Sequence, residues 1–134
     1  MSCRRTFSLG ATSLLVSILV LGCATTTKPS PETGRVYTAS VEKVRAAAED
    51  ALVATGFQID VQDPRHVEGF RPRRVGIFLG SGGERAAVWL EPQGPDRVRV
   101  LVDTGRSFVG FAGQRNWTPE IYEELDRALS RSGS

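Results

Sequence analysis

Cysteine is almost absent from this 134-residue chain, occurring only as Cys3 and Cys23 near the N-terminus. No disulfide can form among the residues after Cys23, so that part of the chain must hold its fold by packing. Histidine occurs once, as His66, which excludes a three- or four-ligand zinc site built from His and Cys. Lysine is limited to Lys28 and Lys43, so the basic side chains are nearly all arginine, suited to planar ion pairs and stacking on aromatic rings. An excess of one charge sign is missing too. Setting aside Arg4 and Arg5 brings the 17 basic residues level with the 15 acidic ones, and general attraction to nucleic acid is not expected.

Catalytic motifs are equally sparse. There is no G-x-S-x-G nucleophile elbow. Gly80-Ser81-Gly82-Gly83 lacks the Lys-Ser/Thr pair of a phosphate loop and opens no predicted helix, so it reads as a hairpin turn. Gly105, Gly110 and Gly113 lack the strand-turn-helix setting of a dinucleotide fingerprint. His66 stands beside Pro64 and Arg65 in an expected loop with no nucleophile placed near it, and reads as a surface histidine. Glu120, Glu123 and Glu124 fall on the first turn and solvated face of a helix. These residues give no constellation for an enzyme and no cofactor or metal site.

Apart from one stretch, long apolar runs are lacking as well. Leu9 to Leu21 is apolar but shorter than the roughly 20 residues that span a bilayer. It follows Arg4-Arg5 and ends in Val20-Leu21-Gly22-Cys23, the charged, apolar, small-residue order of an export signal. This ending resembles the lipobox of bacterial lipoproteins. The resemblance implies cleavage before Cys23 and acylation of that cysteine on its sulfur and its new amino group. Several chains together anchor stably where one would not. Ala24 stands where the family uses Asp for inner-membrane retention, which implies the outer membrane, facing the periplasm.

The expected organisation is a signal peptide over 1–22, a lipidated flexible tether over 23–35, one domain over 36–131 and a frayed tail over 132–134. The tether is rich in Thr and Pro; at about 3.3 Å per residue it would reach roughly 40 Å. Val36 to Ala39 predicts a strand. Ser40 predicts the N-cap of a helix over Val41 to Thr55, ended by Gly56. Phe57, Ile59 and Val61 alternate as a half-buried strand, and Val67 to Phe70 suggests a short one. Three antiparallel strands are expected over 75–80, 85–91 and 97–104. Symmetric closure about Pro92 to Asp96 would set Glu91 opposite Arg97, Trp89 opposite Arg99, Ala87 opposite Leu101 and Arg85 opposite Asp103. Thr118 predicts the N-cap of a second helix, with Ile121, Leu125, Ala128 and Leu129 inward.

The implied fold is α+β, an antiparallel sheet of four to five strands with two helices on one face, in β-α-β-β-β-β-α order. From Val36 to Leu129 this order is similar to the helix-grip domains of lipoprotein C from the outer-membrane β-barrel assembly machinery. The likeness is one of topology and carries no function by itself. Two features could bind. Phe78, Trp89, Arg99 and Leu101 form an outer sheet face suited to a protein partner. Phe108, Phe111 and Trp117 form a glycine-aromatic segment that could line an interface or enclose a ligand. The expected function is a non-enzymatic lipoprotein, held to the membrane by its lipid, that binds or scaffolds an envelope protein. The alternative is a periplasmic carrier of a small apolar ligand or lipid.

Overall fold

The computed structural model describes residues 26–72, 83–105 and 115–133. Cys23, the expected strand over 75–80 with Phe78, and Phe108 and Phe111 lie outside them.

Each element has a local cause. After a single 3-10 turn at Pro31–Thr33 come strand β1 (Arg35–Tyr37) and helix α1 (Val41–Ala54). The Ser40 hydroxyl accepts from the Lys43 amide at 3.3 Å, so the helix starts where its cap residue predicts. Gly56, at φ +89°, turns the chain out of the helix in a conformation that costs other residues energy. Strands β2 (Gln58–Asp63), β3 (His66–Pro72), β4 (Gly83–Gly94) and β5 (Arg97–Gly105) follow, then helix α2 (Thr118–Arg131). Trp117, rather than Thr118, is the residue flanking α2, and Asn116 Oδ1 accepts from the Thr118 amide at 3.1 Å.

The architecture is α+β. Among the described residues five antiparallel strands run in the order β1-β5-β4-β3-β2, with two helices packed on each other and against the sheet. Two expectations need correction. The neighbour of β4 on one side is β3, paired from Pro72↔Gly83 to His66↔Trp89. The weak-looking strand around Gly69 is therefore a full interior one, and His66 lies within it rather than in a loop. Gly69 suits this place, because a Cβ there would lie 2.9 Å from that of Phe57.

The β4–β5 register is also displaced by two residues. Glu91 faces Arg99, Trp89 faces Leu101, Ala87 faces Asp103 and Arg85 faces Gly105. The symmetric closure assigned all of Pro92 to Asp96 to the turn. The chain instead turns at Pro95-Asp96 and absorbs the spare residue as an irregularity between Pro92 and Gly94. A two-residue shift changes partners but leaves every side chain on its predicted face.

The helix-side core is continuous. Val44, Ala47, Ala48, Ala51 and Leu52 of α1 and Ile121, Tyr122, Leu125 and Ala128 of α2 are buried on it. The sheet supplies Val67, Ala86, Val88, Leu90, Val98, Val100 and Val102. The alanine face of α1 permits close approach to the strands. Tyr122 completes the core with a polar tie, its hydroxyl donating to the Val100 carbonyl at 3.0 Å. Adjacent positions on α1 give a contrast. Leu52 is fully buried and Val53 is 59% exposed. Leu52→Ala is expected to cost about 2–5 kcal/mol, whereas Val53→Ala stays within about 0.5 kcal/mol; urea denaturation of each variant measures both.

Candidate functional site

By strand alternation, the face away from the helices carries His66, Glu68 and Phe70 of β3, Arg85, Ala87, Trp89 and Glu91 of β4, and Arg99, Leu101 and Asp103 of β5. Cross-strand pairing arranges these in rows. One row is His66–Trp89–Leu101, the next Glu68–Ala87–Asp103 and a third Phe70–Arg85–Gly105.

The aromatic row is stacked. The rings of His66 and Trp89 lie 5.1 Å apart and 15° from parallel. His66 Nε2 is buried, 3.6 Å from Glu68 Oε2, and has no hydrogen-bond partner among the described residues. The next groups are ionic. Arg85 contacts Glu68 and Asp60, each at 2.8 Å, and its guanidinium lies 5.5 Å from the Phe70 ring centre. Its hydrogen bond to Glu68, more than any other contact, pushes its pKa further up. A bulge between Ile59 and Val61 displaces the β2 register here, and Asp60 reaches across to Arg85.

Ala87 and Leu101 are fully buried although they lie outside the helix-side core. They are covered by the N-terminal arm, the residues read in the sequence as a free tether. Thr26 Oγ1 donates to Glu68 Oε2 at 3.1 Å, and the Thr27 amide donates to Asp103 Oδ2 at 2.9 Å. Lys28 Nζ lies 2.7 Å from Glu91 Oε1. Gly34 approaches so closely that a Cβ there would sit 2.7 Å from Leu101 Cδ2. The tether expectation is thus corrected from Thr26 onward, because the sheet offers that stretch apolar surface and three acceptor carboxylates.

The predicted partner face is rearranged in consequence. Leu101 is sealed beneath the arm and presents no surface. Trp89 is half-buried against His66. Arg99 is half-buried beside Glu91 at 3.5 Å and opposite Val36, which is 44% exposed. Phe78 lies outside the described residues. Trp117 belongs to another place, the end of the helix-side core. It meets Phe57 edge to face at 6.1 Å, carries the guanidinium groups of Arg71 and Arg115 over its ring, and donates from Nε1 to Glu84 at 3.1 Å. It is fully engaged in packing there. The residues that the sequence left unnoticed are Thr26, Thr27 and Lys28; a Thr- and Pro-rich composition gave no sign of docking. The available hint was Leu101, an outward-facing leucine in need of cover.

Among the described residues no three His, Cys, Asp or Glu side chains gather to hold a metal ion, and no helix is long and apolar enough to cross a membrane. No family model and no curated protein matches the chain. A solved structure described as the adenylate sensor from AMP-activated protein kinase, in complex with 5-aminoimidazole-4-carboxamide ribofuranotide, is similar over 72% of this chain and 94% of its own, at 13% identity and a TM-score of 0.48.

The arm has a pH signature. The Lys28 ammonium beside Glu91 holds that carboxyl below the usual carboxylate range. A lowered folded-state pKa favours the charged form, so the contact contributes above the ordinary glutamate value of about 4.3 and is lost as pH falls through the lowered one. An NMR titration is expected to place the Glu91 midpoint below that value, and Lys28→Ala to return it upward.

Proposed function

We propose that this chain is a non-enzymatic lipoprotein of the outer membrane, anchored through Cys23, whose periplasmic α+β domain binds or scaffolds a protein of the cell envelope. The observation that carries this reading is the Val20-Leu21-Gly22-Cys23 ending behind a charged and apolar leader. Envelope scaffolding is consistent with a surface on which several charged groups are spent on one another. Arg85, Glu68 and Asp60 form one network, Lys28, Glu91 and Arg99 a second, and Arg35, Tyr37 and Asp126 a third. The helix-grip likeness of the element order belongs to the same proposal.

The partner surface, revised for the arm, is the rim formed by Trp89, Arg99 and exposed Val36. It offers an aromatic ring, a guanidinium and an aliphatic side chain, a mixture common at contact sites. The carrier alternative draws no support from Trp117, which packs within the core end.

Labelled palmitate is expected to incorporate into the wild-type chain and not into Cys23→Ser; equal incorporation would remove the anchor. A photocrosslinking side chain at position 89 or 99 is expected to capture one membrane-fraction protein in the lipidated chain. The same probe at position 53 should not. Identical capture from all three positions would sink the rim as the binding surface.

A further inference from the structure

The geometry of the arm allows one step beyond the lipidation reading, on which it rests. Thr26 is already seated on the sheet, through Glu68. Cys23 is only three residues earlier, so the two Cα atoms are separated by about 11 Å at full extension. The free linker expected from composition would have reached roughly 40 Å.

We propose that the arm is a strap holding the domain directly against the headgroup layer in which Cys23 is anchored, with the β2–β3 side of the outer face turned to that layer. The occupant of this side is the bilayer surface.

The direction of the arm supports this placement. It starts at Gly34, beside Arg99 and Leu101 on β5, meets Glu91 and Asp103, and arrives at Glu68 on β3. The chain therefore leaves the domain on the β3 side, next to β2. The charges there fit a crowded interface. Arg85 pairs with both Asp60 and Glu68 there, which lowers the cost of bringing these carboxylates among the headgroups. One functional consequence follows: the domain can serve only partners seated at the same membrane, because the strap denies it the reach of a free tether.

The test uses the full-length lipidated protein in vesicles of phosphatidylethanolamine and phosphatidylglycerol. A fluorophore is attached at Gln58→Cys, exposed on β2, or at Asp96→Cys, exposed in the β4–β5 turn at the other end of the sheet. Lipids with a nitroxide on the headgroup should quench the first and leave the second bright. Inserting a Gly-Ser segment as long as the expected free linker between Cys23 and Thr26 should erase the difference. A carbodiimide should also join the Lys28 amine to the Glu91 carboxylate in the vesicle-bound protein. Flotation with the vesicles reports the anchor separately. A protein that fails to float refutes lipidation, and the strap with it. A protein that floats with equal quenching at both positions, or without the Lys28–Glu91 link, overturns the strap and leaves lipidation standing.

Discussion

Strands β4 and β5 carry apolar residues on both faces, and both sets must be kept from water. Ala86, Val88 and Leu90 of β4 and Val98, Val100 and Val102 of β5 point toward the helices. Ala87 and Leu101 point the other way and are buried just as completely. An antiparallel sheet with helices on one side leaves its other side to solvent. Here that side has an apolar centre, and two helices cannot cover both. The N-terminal arm supplies the missing layer, thin and polar, held at its edges by carboxylates that also serve the sheet.

This need explains why the outer face is organised in rows. Leu101 and Ala87 sit at the centre, and ionic groups surround them. Glu91 on one side takes Lys28 and Arg99. Glu68 on the other takes Thr26 and Arg85. Each such contact at a surface is worth little alone, about 0–1 kcal/mol. Together they fix where the arm lies, while burial of Leu101 supplies most of the gain, about 1.5–3 kcal/mol for a leucine side chain. The apolar patch of the bare sheet is thereby mostly spent within the molecule, and Trp89, Arg99 and Val36 remain accessible at its rim.

Much of the fold was legible because periodicity is a local property. The stripe Val44, Ala48, Ala51, Leu52 and the cap pair Ser40 and Gly56 delimited α1 to within a residue. Alternation along β4 and β5 sorted inward from outward side chains correctly. The register was not legible, because a five-residue turn and a two-residue turn with one residue bulged beside Pro92 leave the same alternation. The partner of β4 was misread for a related reason. Gly69 weakens the apparent strand in which it stands, yet its missing side chain is what admits Phe57. Trp117 packs its ring on Phe57 and two arginines at the core end, while Phe108 and Phe111 lie outside the described residues.

By itself the sequence determined the class of fold, the two helices and the inner face of the sheet, since each is written in neighbouring residues. Tertiary structure alone decided the fate of residues 26–34. A run of Thr, Lys, Ser and Pro has no intrinsic reason to be ordered. It becomes ordered because strands far along the chain present Leu101, Glu68, Glu91 and Asp103 at matching positions, and that match exists only once the sheet has formed.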